Sequence, residues 1–207
     1  MSVYGKIRSS FVAKLLVKIF RLEIIGGENE PESGSYIVCA NHISNYDPII
    51  TALCIKAPVS YMAKAELFRI PVLRSIVKLF GAYPVERDKA DVSSIKNTIS
   101  LLQNGAVIGM FPQGRRAKGK IPHEGRFKNG FAMMALKANV GVLPITIITK
   151  NNKVRLFRKT RAVIGEFIPY EETGSENESK TGRNDKIKEL NERVFAVIVE
   201  NYDKYKF

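Results

Sequence analysis

The sequence predicts a mixed α/β domain in which helices cover a central sheet. Three observations support this: 207 residues suit one domain, 45% hydrophobic content supplies a core, and short apolar runs alternate with helical patterns. Helices are predicted at 48–57, 71–80, 91–104, 127–139 and 183–203, and a polar loop at 171–182. The predicted strands are Leu22–Ile25, Tyr36–Ala40, Val59–Ala63, Ala82–Val85, Val107–Phe111, Val142–Thr149, Val154–Phe157 and Ala162–Ile164.

The N-terminal segment predicts a further helix over residues 3–21. Its apolar residues recur in pairs at helical spacing, and residues 1–22 contain five Lys or Arg but no acid. We therefore expect residues 1–21 to form a basic amphipathic helix on an anionic membrane surface, followed by one domain over 22–207. The alternative is a helix that packs its apolar face on the domain.

The net charge of +13 predicts an anionic partner. Nucleic acid, anionic lipid and phosphorylated small molecules all fit, so a basic nucleic-acid-binding module stays open as a non-enzyme alternative. It has no support beyond charge, because no helix-turn-helix, zinc-ligand or RNP-type pattern is present. No secretory signal and no apolar run of membrane-spanning length is found, so we expect any membrane contact to be from one side.

The segment Asn41–Asp47 (NHISNYD) carries the first candidate chemistry. A catalytic histidine needs a partner that fixes its tautomer, and Asp47 follows His42 by five residues. On a regular helix that spacing would put the two side chains roughly 140° apart. We therefore predict that His42 lies in a turn, with Asp47 as the N-cap and Pro48 as the first residue of a helix. Alternatively, Asp47 is only a cap.

The segment Phe111–Arg116 (FPQGRR) follows the predicted strand Val107–Phe111. Gly114 permits a tight turn, and Arg115 and Arg116 supply guanidinium groups suited to phosphate. A solvated basic loop is the alternative.

Lys64 and Arg87 each follow another predicted strand. Ligands of α/β sheets gather beyond the carboxyl ends of strands, so these two cations are expected beside His42 and Arg116, around a phosphorylated substrate with a hydroxyl. Surface ion pairs are the alternative reading.

Two other residues compete weakly for a catalytic role. Cys39 is a rival nucleophile for a thioesterase, but both Cys39 and Cys54 lie in apolar runs without metal-ligand spacing, so buried reduced thiols and no metal site are expected. His123 is interpreted as incidental.

These motifs, with FKNGFAMMA and VLPI after them, resemble the glycerolipid acyltransferase family, and within it the bacterial 1-acylglycerol-3-phosphate acyltransferases. The resemblance covers about residues 35–150. His42 and Asp47 match the family's N-H-x4-D motif, in which the histidine is the base. Arg87, the F-P-x-G-x-R residues through Arg116, and Pro144 match its other motifs, and Lys64 matches a lysine that the family often carries.

The resemblance implies a glycerol-3-phosphate acyltransferase-like fold and a peripheral enzyme of phospholipid biosynthesis on the cytoplasmic face of the membrane. It implies catalytic His42 and Asp47, and a substrate site of Lys64, Arg87, Gly114, Arg115 and Arg116. The reaction would move an acyl group from acyl-coenzyme A or acyl carrier protein to the sn-2 hydroxyl of lysophosphatidate, giving phosphatidate without a metal or bound cofactor.

Gln113 and Arg115 depart from the family pattern, which usually has Glu and Thr there. Another lysolipid therefore stays open as the acceptor. The basic segment Lys150–Arg161, with six cations and no acid, is expected to extend the membrane-facing surface, with a solvated hairpin as the alternative.

Overall fold

The computed structural model describes residues 11–64, 83–85, 92–171 and 180–207. Within these residues, seven strands form one sheet in the order β1-β7-β6-β2-β5-β3-β4. The strands are β1 (Leu22–Ile25), β2 (Tyr36–Ala40), β3 (Val59–Lys64), β4 (Tyr83–Val85), β5 (Val107–Met110), β6 (Gly141–Thr149) and β7 (Thr160–Ile164). The α-helices are α1 (Phe11–Ile19), α2 (Asp47–Cys54), α3 (Val92–Gln103), α4 (Gly130–Ala138) and α5 (Lys180–Tyr205).

The sheet is mixed, as predicted. The central strand β2 runs parallel to both of its neighbours, β5 and β6, and β3 and β4 continue that direction. The strand β7 is antiparallel to β6, and β1 pairs with β7 in parallel. The carboxyl ends of β2 to β6 therefore lie at one edge of the sheet, where α/β proteins place their ligands.

The two faces of the sheet bury separate cores. Along β2, Tyr36 and Val38 pack on one face with residues of α1 and α2, whereas Ile37 and Cys39 pack on the other with α3, α4 and α5. All five residues of β2 are buried. An almost wholly apolar strand is what a central position covered on both faces requires.

One predicted strand, Val154–Phe157, is wrong. The amide of Phe157 donates to the carbonyl of Ile19 at the end of α1, 2.7 Å away, and the amide of Arg158 donates back to Arg155. Phe157 has a left-handed φ of +60°, which no strand residue adopts. The apolar run misled because only Val154 is buried, while Leu156 and Phe157 are exposed.

The N-terminal helix packs part of its apolar face on the domain and leaves part of it exposed. Ala13 and Phe20 are buried against the domain, yet Phe11, Val12 and Leu15 remain exposed beside Lys14 and Lys18. Residues 3–10 of the predicted helix lie outside the described residues, as do the helix at 71–80 and most of the predicted loop 171–182. Among the helices that the structure describes, none has the length and apolarity needed to cross a membrane.

Candidate active site

The site begins where β2 ends, at Asn41. This side chain is buried, and its amide both donates to the carbonyl of Ile147 (3.0 Å) and accepts from the Ile147 amide (2.7 Å). The end of β2 is thereby fixed to β6, because both halves of the amide are satisfied by one backbone residue. The sequence pattern gave Asn41 no role. Its signal is a polar side chain directly after a strand that is apolar at every position.

His42 and Asp47 are brought together by the turn that follows. The Nδ1 atom of His42 lies 2.7 Å from Oδ2 of Asp47, and the His42 side chain is 13% exposed while Asp47 is fully buried. A carboxylate on Nδ1 leaves Nε2 as the nitrogen available to a substrate. No described residue hydrogen-bonds Nε2. The predicted turn geometry is therefore confirmed.

Asp47 is the first residue of α2 and not its N-cap, which is Tyr46. Its side chain points back along the chain, where Oδ2 also accepts the amides of Ile43 (2.6 Å) and Ser44 (2.7 Å). The interpretation of Asp47 as only a helix cap is thus wrong. Pro48 takes a position in the first turn, as expected.

Burial and hydrogen bonding have opposite effects on the pKa of Asp47. Burial raises the pKa of the Asp47 carboxyl, and the His42 hydrogen bond and the Ser44 amide act against that rise. Its Oδ1 atom is buried without a hydrogen-bond partner in the part of the chain that the structure describes. All the donors therefore converge on the one oxygen that holds His42.

A stack of rings supports the imidazole from one side. The Phe111 ring lies 4.3 Å from the His42 ring at an interplanar angle of 23°, and Tyr61 lies beyond it at 6.1 Å and 15°. The Tyr61 hydroxyl is 2.6 Å from Oγ1 of Thr51, which donates to the carbonyl of Asp47. The network therefore closes back on the first residue of α2.

Gly109 makes room for this stack. A Cβ atom at Gly109 would lie 2.1 Å from the Tyr61 ring, so only glycine fits in this strand. A glycine inside an apolar strand is a sequence signal of close approach, although its purpose was not predicted.

The turn after β5 holds the backbone of His42. The buried side chain of Gln113 accepts the His42 amide through Oε1, and the Ala117 amide donates to the His42 carbonyl at 2.7 Å. Gly114 adopts a left-handed φ of +70°, which this tight turn requires, as predicted. Gln113 thus points inward at the His42 turn, a role that the sequence did not reveal.

A basic cavity of about 420 Å³ adjoins the turn. Its walls include residues 43–46, directly after His42, and four cations: Arg116, Lys118, Lys153 and Arg155. Arg115 is exposed and does not line it. The structure therefore brings Arg116 to the cavity beside His42, but not Arg115.

The remaining predicted site residues are placed less fully. Lys64 ends β3, at the sheet edge where β2 and β5 also end, but its side chain lies outside the described residues, as does all of Arg87. Their roles stay predictions.

The two competing residues lie elsewhere. Burial raises the pKa of the Cys39 thiol well above its ordinary value, which makes it a poor nucleophile. His123 pairs with Asp203 on α5 at 2.9 Å.

Comparisons with known proteins identify the family of this chain. The acyltransferase family model matches residues 21–148. The chain is 33% identical to the 1-acyl-sn-glycerol-3-phosphate acyltransferase of Borreliella burgdorferi over 135 residues, which is 64% of this chain but 53% of that protein. It is 30% identical to the Bacillus subtilis protein of the same name over 148 residues, 70% of this chain and 72% of that protein.

A solved structure shares the fold. The crystal structure of the 1-acyl-sn-glycerophosphate acyltransferase PlsC from Thermotoga maritima aligns with a TM-score of 0.72 at 26% identity, covering 99% of this chain and 83% of that chain. The chain spans about half the length of the Borreliella relative and 40% of a chloroplast relative from Arabidopsis thaliana. Because the family model matches more than half of the residues, the chain belongs to the acyltransferase family.

Proposed function

We propose that the chain transfers a fatty acyl group from a thioester donor to the free sn-2 hydroxyl of lysophosphatidate, forming phosphatidate. The observation that carries the proposal is the His42–Asp47 hydrogen bond of 2.7 Å beside a cavity lined by four cations. A base oriented by a carboxylate suits deprotonation of a hydroxyl, and clustered Arg and Lys suit a phosphate. The names of the relatives support the same acceptor.

The proposed reaction is one displacement at the thioester carbonyl. Nε2 of His42 takes the proton of the acceptor hydroxyl as its oxygen forms a bond to the carbonyl carbon. Asp47 holds the ring and stabilises the imidazolium. When the tetrahedral intermediate collapses, the carbon–sulfur bond breaks and His42 returns the proton to the departing thiolate. The chemistry needs no metal or bound cofactor, because the donor, acyl-coenzyme A or acyl carrier protein, is a co-substrate.

The proposed setting is the cytoplasmic face of the cell membrane, where the enzyme acts as a peripheral protein. Support comes from α1, whose exposed residues combine apolar Phe11, Val12 and Leu15 with basic Lys14 and Lys18. Segments of this composition bind at the boundary between headgroups and acyl chains. The acceptor and product are lipids of that layer, so the proposed substrate and location agree.

The test is thiol release from acyl-coenzyme A, or from acyl carrier protein, against a panel of lysolipid acceptors. We expect release to depend on lysophosphatidate, with little on lysophosphatidylcholine or monoacylglycerol. His42→Ala should lower kcat by at least roughly a hundredfold, because a positioned base contributes about 10²–10⁴-fold. The product should lose its new acyl chain to an sn-2-specific lipase.

A folded His42→Ala protein with a smaller loss would refute the assignment of the base. The control is Lys96→Ala, an exposed residue on α3, which should retain wild-type turnover. Transfer to a lysolipid without a phosphate monoester at equal efficiency would refute the acceptor.

A further inference from the structure

A second basic cavity lies between the end of β6 and the start of β7. It encloses about 430 Å³, and no Asp or Glu is among the residues that line it. Lys159 pairs with Glu23 at 2.9 Å, but the other five cations form no ion pair with any residue that the structure describes. The six cations in its walls are Arg21, Lys150, Lys153, Arg155, Arg158 and Lys159. Such a cluster is self-repelling and attracts an anion.

The loop that carries these cations is held at three points. The Gly119 amide donates to the Asn152 carbonyl at 3.2 Å. The Tyr202 hydroxyl donates to the side-chain oxygen of Asn152, also at 3.2 Å. The Phe157 amide binds the Ile19 carbonyl at the end of α1. The loop is therefore held at Asn152 and Phe157 by contacts with the turn at 117–120, α5 and α1.

Phe157 is unusual within this loop. Its left-handed φ of +60° is strained for a bulky residue, and its side chain is 68% exposed, so packing does not offset the strain. Leu156 beside it is 46% exposed. The fold thus presents two adjacent apolar side chains to the outside, with Arg155 before them and Arg158 after them.

Leu156 and Phe157 do not line either basic cavity. A phosphorylated molecule free in water would fill the cavity without contacting them. A bilayer would use both features together, because its anionic headgroups meet the cations and its acyl chains meet the apolar tip. The hydrogen bond to Ile19 also joins this tip to the end of α1, whose Phe11 is 79% exposed.

We propose that residues 150–159 form a membrane-binding loop. Its cavity binds the phosphate of an anionic phospholipid headgroup, and Leu156 and Phe157 insert among the acyl chains. This cavity shares Lys153 and Arg155 with the cavity beside His42, but its other cations are different ones. The proposal rests on the proposed function only for its membrane setting. It would orient the His42 edge of the sheet toward the bilayer, because β2 and β6 are neighbours that end at the same edge.

The chain contains no tryptophan, so Phe157→Trp gives a single fluorescent probe at the tip. On vesicles of phosphatidylcholine with phosphatidylglycerol, we expect its emission to shift to the blue as the ring leaves water. The matched control is Val92→Trp, since Val92 is 62% exposed on α3, which packs on the opposite face of the sheet. That probe should not shift.

Binding to vesicles tests the two parts of the loop separately. Arg155→Gln with Arg158→Gln should weaken binding to anionic vesicles roughly thirtyfold, at about a factor of five per cation. Leu156→Ser with Phe157→Ser should weaken it at least tenfold, because two exposed apolar groups lose their insertion. The control pair Lys96→Gln with Lys137→Gln, which removes the same charge from α3 and α4, should have little effect.

An unshifted Phe157→Trp emission spectrum on vesicles would overturn the proposal. So would loop variants that lose no more vesicle binding than the control pair does. Coenzyme A bound in water through Arg155 and Arg158, with vesicle binding unchanged in their variants, would assign the cavity to a nucleotide and overturn it as well. Acyl transfer to a monomeric short-chain lysophosphatidate separates the two proposals. If transfer is absent but the vesicle results hold, the proposed function fails and the membrane loop stands.

Discussion

Two segments at the same edge of the sheet differ in whether their charged groups are buried and paired. In the turn after β2, one carboxylate, Asp47, is fully buried and receives three donors on a single oxygen. In the loop after β6, five cations line one cavity together with Arg21, and of these six only Lys159 has a carboxylate partner among the described residues. One segment buries its charge and concentrates three donors on one carboxylate oxygen, whereas the other exposes several cations that have no carboxylate partner among the described residues.

The two segments show two uses of charge. A buried charge can hold a neighbouring side chain in one orientation, whereas exposed charges attract a partner from solution. Burial makes the Asp47 contacts sensitive to geometry, since a lone buried charge would be costly, and this holds the imidazole in one orientation. Exposed cations hold nothing in place, but they attract any anion within a screening length. Changes in the turn should therefore alter turnover. Changes in the part of the loop that does not line the cavity beside His42, such as Leu156, Phe157 and Arg158, should alter membrane binding.

The largest expected effect is that of Asp47→Asn. The amide can still accept the backbone donors of the turn, but it cannot stabilise an imidazolium. We expect kcat/KM for acyl transfer to fall by about 10²–10⁴-fold, the range for loss of a positioned base or of its orienting carboxylate. Vesicle binding should not change. Near-normal turnover in this variant would show that His42 works without its partner.

The Asp47→Asn variant should also differ from the wild type in how its stability depends on pH. Burial raises the pKa of Asp47 in the folded protein, so the wild type loses stability as pH rises through that value. Asparagine does not titrate. The melting temperature of Asp47→Asn relative to the wild type should therefore increase from acidic to neutral pH. A constant difference across that range would contradict the burial argument.

A smaller effect is expected at Gln113, which positions His42 through its backbone. Gln113→Leu leaves the His42 amide without its acceptor, a loss of about 1–3 kcal/mol for a buried group. We expect about a tenfold lower kcat and a lower melting temperature.

Gln113→Glu keeps the acceptor and restores the residue usual in the family. It should recover turnover to within a few-fold, and its pH–activity profile should move to higher pH because the added negative charge favours protonated His42. If Gln113→Glu fails to rescue while folding normally, the role of Gln113 is not positioning.

These residues show how far the sequence predicts the site. The His42 turn was predictable because a five-residue spacing cannot place two side chains together on a helix. Seven of the eight predicted strands are present, because apolar runs in this chain mostly form the sheet. The exception is Val154–Phe157. Its apolar residues Leu156 and Phe157 are exposed and do not contribute to the core.

The supporting contacts were not predictable. The stack of Phe111 on His42 and the bond from Gln113 both join segments about 70 residues apart. Pairings at that separation depend on which strands become neighbours, and strand order cannot be derived from local periodicity. Arg116 was placed at the site by its motif, but only the fold separates it from Arg115.

The smallest expected effect compares two cations of the same loop. Arg158 has no ion pair with a described residue, whereas Lys159 shares Glu23 with Arg161. Arg158→Gln should weaken binding to anionic vesicles about fivefold, since a basic residue near the surface contributes about 1 kcal/mol. Lys159→Gln should have a smaller effect, because Glu23 already offsets its charge. Both effects should vanish at high salt, measured by co-sedimentation over a salt series. Equal losses would mean that the loop acts through net charge alone, and the distinction between paired and unpaired charge would not hold at this surface.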